Sequence, residues 1–213
     1  WDYAEVNGFS NGSGSYMGAI DWISRCIDRE VESFSPIGQI EKASASEHPL
    51  SDDSVHAFVT DPPYYDAVPY ADLSDFFYVW LKRSIGPLYK DLFSEDLSPK
   101  KGEVVQLSER NPKYAYKTQT YFENLMRKSM SEGRRILHPY GIGFVVFAHK
   151  TTVGWETQLN AMIDAGWTIT GSWPIDTERP GRLRANNAAA LASSVHLVCR
   201  PRENEDGSLK END

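Results

Sequence analysis

Apolar residues follow two kinds of pattern along the chain. Apolar positions that recur every three or four residues predict amphipathic helices, and short apolar runs rich in β-branched residues predict strands. Helices are predicted over residues 16–33, 73–85, 120–137 and 155–165. Strands are predicted over residues 39–45, 55–60, 142–148, 167–173 and 194–199. Strands that alternate with helices in this way are typical of an α/β fold on a mainly parallel sheet.

Several local signals refine these elements. Thr120 and Glu123 form a capping-box pattern at a helix start, and Gly166 stands where a helix usually ends. Residues 138–141 are predicted to end the helix 120–137 and to precede the strand at 142–148. The strand 55–60 alternates incompletely, which favours coverage on both faces. No helix separates the last two strands, so we expect an antiparallel pair, with the C-terminal strand at the sheet edge.

We expect one domain over residues 1–202. Residues 1–15 are polar and rich in glycine, which predicts a flexible lead-in. Residues 87–117 form a long connection with few periodic cues, which is typical of a functional lid or a mobile segment. The acidic tail at 203–213 is expected to be disordered.

Composition narrows the setting rather than the function. Hydrophobic residues make up 40% of the 213 positions, enough for a sizeable core. Two cysteines are too few for a disulfide scaffold, and no signal peptide or membrane-length apolar run is visible, so we expect a reduced, cytoplasmic protein. The chain lacks an initial Met, which suggests a fragment. A formal net charge of −8 means that any nucleic-acid surface must be local.

The sequence Asp61-Pro62-Pro63-Tyr64 directly follows the predicted strand 55–60. Ligands of open α/β sheets bind beyond the carboxyl ends of strands. Two prolines stiffen the loop, and the Asp61 carboxylate and the Pro62 carbonyl can accept both hydrogens of an exocyclic amino group. Tyr64 can stack on the plane of a nucleic-acid base that carries this amino group. Such a base would have to leave a duplex to arrive at the loop. The alternative is a plain turn; the strand before it and the aromatic-rich helix after it favour function.

Residues near this loop are further candidates for substrate binding. Tyr65, Asp66 and Tyr70 follow it closely in sequence. Farther along, Arg179, Arg182 and Arg184 belong to a basic stretch suited to phosphates, although such loop residues are commonly only solvated. His149 follows the strongest predicted strand, where it could face a ligand or simply end the strand. No histidine or cysteine has metal-ligand spacing, so no metal is predicted.

Beyond the tetrad Asp61–Tyr64, the longer run Thr60–Phe77 resembles the corresponding region of adenine-specific DNA methylases of bacteria and archaea. Within that family it most resembles the large subgroup with a zinc-ribbon insertion. Ser172-Trp173-Pro174-Ile175 and Ala190–Val195 resemble later parts of the same subgroup. The resemblance implies a partial Rossmann-like methyltransferase fold with a reversed strand near its end. It also implies S-adenosylmethionine as methyl donor, adenine N6 in DNA as acceptor, a modification system, and catalytic roles for Asp61, Pro62, Pro63 and Tyr64.

Two features depart from that family. Its glycine-rich cofactor loop follows a strand, whereas Gly8, Gly12 and Gly14 follow polar residues. The chain therefore resembles the C-terminal portion, with the missing N-terminal part as an expected partner. Relatives carry an acidic residue near the donor adenine, a role that Glu47 could take. A cytosine-N4 or RNA acceptor stays open, as does a non-catalytic module that binds DNA or a partner.

Overall fold

The computed structural model describes residues 7–31, 36–66, 68–149, 152–176, 193–204 and 208. The chain divides into two compact units, residues 1–41 and 42–213. In the first unit, turns lead into helix α1 (Tyr16–Val31), and the side chain of Ser15 accepts a hydrogen bond from the backbone N–H of Gly18 at 3.1 Å. The predicted helix over 16–33 is thus confirmed as far as Val31, where the described segment ends.

In its described residues, the second unit contains a sheet and three helices. These helices are α2 (Tyr70–Ile85), α3 (Gln119–Ile136) and α4 (Thr152–Asp164), and a 3₁₀ turn spans Pro112–Tyr114. Its strands are β1 (Val55–Thr60), β2 (Leu137–Phe147), β3 (Trp167–Asp176) and β4 (Ser193–Pro201). The predicted order of these elements along the chain is confirmed. No helix in the described part of the chain is long and apolar enough to cross a membrane.

The sheet is mixed, with the strand order β1-β2-β4-β3. β1 pairs with β2 in parallel, and β4 pairs antiparallel with both β2 and β3. Three strands therefore point one way and β4 is reversed, as expected for an α/β fold of this kind. The antiparallel pairing of the last two strands is confirmed. The predicted edge position of the C-terminal strand is wrong, because β4 bonds to a neighbour on each side and β3 forms the edge.

Residues 39–45 do not form the predicted strand. Among the described residues they have no ladder partner, and the bridge that joins Ser44 to Glu47 across a tight turn is an isolated one. Ile40 is fully exposed, and the charged pair Glu41-Lys42 follows it. The segment therefore offers too little apolar surface to hold a place in the sheet.

Two element boundaries in the structure differ from the predicted ones. The cap of α3 is Thr118, whose side chain accepts from the backbone N–H of Tyr121 at 3.2 Å, and Thr120 lies inside the first turn. β2 begins at Leu137 rather than at residue 142. Its register with β1 jumps from Val55↔Leu137 to Ala57↔Ile142, so the predicted stop at 138–141 is an irregular stretch within the strand.

One face of the sheet carries the core. Helices α3 and α4 pack on it, and Trp167 is central there, 1% exposed, with its indole N–H donating to the Met130 carbonyl at 2.9 Å. Val59 in β1 is 72% exposed, so the predicted coverage of β1 on both faces is wrong: the described helices that join the core do so on a single face. Apolar side chains of α2 are likewise exposed, including Trp80, which is 56% exposed.

Gly133 allows α3 to approach the sheet closely. A Cβ at this position would lie 2.5 Å from Cζ of Phe58, whose ring lies 5.8 Å from that of Trp167. We expect Gly133→Ala to lower the free energy of unfolding by about 1–2 kcal/mol, because overpacking outweighs the gain in helix propensity. Urea denaturation measures this change. Gly102→Ala, where a Cβ meets nothing within 4 Å, is the control and should change stability by less than about 0.5 kcal/mol.

Candidate active site

The tetrad Asp61–Tyr64 lies where the carboxyl ends of β1 and β2 meet. It directly follows β1, and Phe147 is the last residue of the neighbouring parallel strand β2. The rings of Tyr64 and Phe147 make an edge-to-face contact with centroids 5.5 Å apart. The tetrad is therefore at the edge of the sheet where α/β proteins bind ligands, as its position in the sequence predicted.

Asp61 and Tyr64 are joined by a short hydrogen bond. The Tyr64 hydroxyl donates to Oδ1 of Asp61 at 2.5 Å. Burial, this hydrogen bond and the charge of Asp61 raise the pKa of Tyr64 well above its ordinary value, so the phenol stays protonated as a donor. Asp61 is exposed and Pro62 is buried. In the described part of the chain, nothing donates to Oδ2 of Asp61 or to the Pro62 carbonyl, so two acceptors remain available to a ligand.

Tyr65 turns away from the tetrad and into the protein. Its φ of 56° is in the left-handed region, which few residues with a large side chain adopt. Its ring packs on Phe122 at 4.6 Å and its hydroxyl donates to Glu123 at 3.3 Å, while its carbonyl accepts from the N–H of Gln106. Tyr65 thus anchors the loop to α3, and its hydroxyl is already engaged.

An aromatic wall stands beside the tetrad. The imidazole of His149 lies between the rings of Tyr65 and Phe147, with centroids 5.7 and 6.2 Å away. Trp155 contacts Phe147 edge-on at 5.0 Å and donates its indole N–H to the carbonyl of His149 at 3.0 Å. A Cβ on Gly154 would overlap the imidazole, so glycine is required there. The sequence indicated His149 through its position after the predicted strand that became β2.

The other predicted substrate residues have different placements. Asp66 forms an ion pair with Arg110 at 2.7 Å, and both side chains are about half exposed. Tyr70 begins α2, is 59% exposed, and lies close enough to Tyr64 to add slightly to the rise in its pKa. Arg179, Arg182 and Arg184 lie outside the described residues.

Glu47 is not brought to this edge of the sheet. The backbone N–H of its neighbour His48 donates to Glu132, and the carbonyl of His48 accepts from Arg135. Both partners lie at the end of α3, immediately before β2 begins. Glu47 therefore belongs to the amino ends of β1 and β2, opposite the tetrad.

The described residues include no cradle for a nucleotide-like cofactor. No glycine-rich loop follows a strand among them, and the glycines at 8, 12 and 14 precede helix α1. Backbone amides in that loop are used internally: Ser15 donates to Gly12, and Tyr16 donates to Gly8. The same described part holds no group of three His, Cys, Asp or Glu side chains arranged for a metal. The described residues therefore assign neither a cofactor-binding loop nor a metal to the edge of the sheet where the tetrad lies.

No protein-family profile matches the chain, and no curated protein matches it. Among solved structures, TTHA0409 of Thermus thermophilus, described as a candidate DNA modification methylase, aligns with 15% identity and a TM-score of 0.41 over 80% of this chain and 55% of its own. A second TTHA0409 structure, in complex with S-adenosyl-L-methionine, aligns with 14% identity and a TM-score of 0.38 over 78% of this chain and 53% of its own. The chain thus spans about half the length of TTHA0409.

A TehB-like S-adenosylmethionine-dependent methyltransferase of Corynebacterium glutamicum aligns at 10% identity over 88% of this chain and all of its own, with a TM-score of 0.27. All of these TM-scores lie below 0.5. The assignment of an α/β fold therefore rests on the strand order and directions of the sheet itself.

The partly buried hydroxyl of Tyr65 makes stability depend on alkaline pH. Burial and the charge of Glu123 raise the pKa of Tyr65 to about 12, above its ordinary value of 10. A raised pKa favours the protonated form in the folded state, so the stabilisation is complete below pH 10 and is lost as pH rises toward 12. As the pH rises through this window, we expect Tyr65→Phe to lose less free energy of unfolding than wild type. The difference between the two proteins should be under about 1 kcal/mol, because solvent reaches part of the ring.

Urea denaturation at about pH 8, below the window, at about pH 10, where it begins, and at about pH 11.5, near its upper end, measures the effect. Tyr140→Phe, at a side chain that is 82% exposed, is the matched control and should follow the wild-type profile. Parallel pH profiles of wild type and Tyr65→Phe would contradict the role of Glu123 beside this phenol.

Proposed function

We propose that this chain is the acceptor-binding part of a DNA amino-methyltransferase, acting on the exocyclic amino group of a flipped base, with adenine N6 as the acceptor. The observation that carries the proposal is the tetrad Asp61–Tyr64 at the joint carboxyl edge of β1 and β2, with two oxygen acceptors open to a ligand. The resemblance of residues 60–77 to adenine-specific DNA methylases supports adenine as the base.

Each residue of the tetrad has a physical role in this proposal. Oδ2 of Asp61 and the Pro62 carbonyl accept the two amino hydrogens, which directs the nitrogen lone pair away from the loop. Pro62 and Pro63 hold these acceptors still, because their φ angles are fixed. Holding the amino group at the right distance and angle for in-line attack supplies much of the acceleration.

Tyr64 supplies the stacking face in the same proposal. Its ring lies against Phe147, and its hydroxyl is held by Asp61, so it enters the reaction already oriented. An incoming base would stack on the ring surface that Phe147 does not contact. The hydrogen bond between Tyr64 and Asp61 thus links base stacking to amino-group capture within one rigid loop.

The methyl donor of the proposal is S-adenosylmethionine, which would supply an electrophilic methyl group. We assign no residue of this chain to it, because the described residues form no cradle for it. In this proposal the donor is bound by residues outside the described part of the chain.

The test offers duplex DNA and, in a parallel reaction, RNA to the intact protein with S-adenosylmethionine, followed by digestion and mass spectrometry of the nucleosides. We expect N6-methyladenine. N4-methylcytosine instead would keep the amino-group chemistry and change the acceptor base. Methylated RNA with unmethylated DNA would move the substrate to RNA.

A parallel calorimetric titration with S-adenosylmethionine separates enzyme from binding module. Donor binding by the intact protein without any methylated nucleoside would refute the proposed reaction. If the intact protein binds DNA and shows no affinity for the donor, the non-catalytic alternative takes its place.

A further inference from the structure

A basic hollow opens in the long segment between α2 and α3. It has a volume of about 370 Å³, and we call it the lysine–tyrosine hollow. Its lining consists of three lysines and two tyrosines: Lys100, Lys101, Lys113, Tyr114 and Tyr116. Pockets of this size accept small ligands or parts of larger ones. The sequence predicted a lid or mobile segment here and pointed to none of these residues.

The base of the hollow is held by buried polar pairs. Lys117 is fully buried and donates to Glu103 at 2.8 Å, and its ammonium lies 5.0 Å from the ring centre of Tyr114. The Tyr114 hydroxyl donates to Asp72 at 2.6 Å, and Glu103 accepts from the backbone N–H of Ala71. Because these contacts join the segment to the first turn of α2, the tyrosine wall is preformed.

The charge of the hollow is positive although the chain is acidic. Three acids lie in the base: Glu103 pairs with Lys117, Asp75 pairs with Lys100 at 2.7 Å, and Asp72 accepts from the hydroxyl of Tyr114, against four lysines, Lys100, Lys101, Lys113 and Lys117. Lys101 and Lys113 are exposed and belong to no ion pair among the described residues. The ammonium of Lys113 lies 5.6 Å from the ring centre of Tyr114, over the aromatic wall. Two lysine charges are thus available to an anion at the mouth of the hollow.

Lysine ammoniums beside an exposed tyrosine ring suit one ligand class well. Nucleic-acid strands bring phosphates for the lysines and flat bases or sugars for the ring of Tyr116, whereas Tyr114 is buried and only supports the wall. Tyr116 is 46% exposed and its ring is braced edge-on by Tyr121 at 5.7 Å, so it presents a fixed apolar surface. A free phosphate would use the charges and leave the aromatic wall bare.

The same segment is tied to the candidate active site. The backbone N–H of Gln106 donates to the carbonyl of Tyr65 at 3.0 Å, and Arg110 pairs with Asp66. Tyr65 and Asp66 immediately follow the tetrad. We propose that the lysine–tyrosine hollow binds the DNA backbone beside the flipped acceptor base, through Lys101 and Lys113. This inference rests on the proposed function and adds to it the surface that holds the strand.

The test uses the intact protein and a fluorescent DNA duplex, with affinity measured by anisotropy at several salt concentrations. Lys101→Gln/Lys113→Gln removes the two charges and keeps most of each side-chain stem. Lys90→Gln/Lys128→Gln is the matched control, because both lysines are exposed and lie outside the hollow. We expect the first variant to bind at least about tenfold more weakly, and its log–log salt slope to be less steep by about 2. The control should match wild type.

The outcomes separate this inference from the proposed function. Equal DNA affinity and salt slope in both double variants overturns the hollow as a DNA contact, whatever the methylation assay gives. Displacement of the duplex by millimolar inorganic phosphate, beyond that caused by chloride at equal ionic strength, also overturns it, since a free anion would then satisfy the site. A weakened first variant that still methylates at saturating DNA, with its KM raised and kcat kept, supports the inference. If the nucleoside digest contains no methylated bases, the proposed function is rejected. The DNA-affinity comparison between the two double variants still stands in that case.

Discussion

Replacing Asp61 by alanine should abolish methyl transfer and leave the fold intact. The carboxylate accepts an amino hydrogen in the proposed reaction, and its loss leaves that hydrogen without a charged partner. A charge-assisted hydrogen bond contributes about 1.5–3 kcal/mol, and lost alignment of the amino group adds to this. We therefore expect kcat/KM to fall by at least about a hundredfold, which corresponds to about 2.7 kcal/mol.

The control for Asp61→Ala is Asp91→Ala, an equal change of charge at an exposed loop position. It should keep wild-type activity. Urea denaturation of Asp61→Ala should give a free energy of unfolding within about 1 kcal/mol of wild type, since the lost hydrogen bond to Tyr64 is at an exposed carboxylate. Wild-type methylation by Asp61→Ala would falsify the assigned role of the carboxylate.

The largest expected effect on stability comes from Trp167→Ala. The indole is 1% exposed, contacts Phe58, and donates to the Met130 carbonyl at 2.9 Å. A Cβ on Gly143 would lie 2.5 Å from the indole, so the ring fills the space that this glycine leaves. Truncation of a large buried aromatic side chain costs about 3–5 kcal/mol through lost burial and the remaining cavity. We expect a loss of this size in urea denaturation.

Trp173→Ala is the matched control, because it removes the same side chain from the same strand. Trp173 is 63% exposed, so its truncation should cost less than about 1 kcal/mol. Similar losses in the two variants would mean that the second face of the sheet is also covered in solution, and that the core is not confined to the face that carries α3 and α4.

The order of helices and strands was predictable from local pattern because each element is encoded by its own periodicity. β1 was predicted at 55–60, where it is found, and the left-handed φ of 86° at Gly166 matches a glycine after a helix end. The position of the tetrad was equally predictable, since a motif that directly follows a strand must lie at the carboxyl end of that strand. These features depend on a few residues close together in sequence.

Features that depend on distant partners were not predictable. Burial of Lys117 becomes favourable only because Glu103 and the ring of Tyr114 lie beside it. No local sequence pattern predicts that arrangement. The position of β4 inside the sheet depends on pairing with two strands far apart in sequence. The false strand at 39–45 has the opposite cause: a suitable local run found no partner in the sheet.

The central position of β4 also orders the events of biosynthesis. β3 joins β2 only through β4, although β3 precedes β4 along the chain. On the ribosome, β3 can form its hairpin-like partner contacts only after residues 193–201 have been translated. Until then Trp167 and the rest of β3 lack a backbone partner, and the core above β2 stays incomplete. Closing such non-local pairs late makes folding slow and leaves the nascent chain open to capture by chaperones.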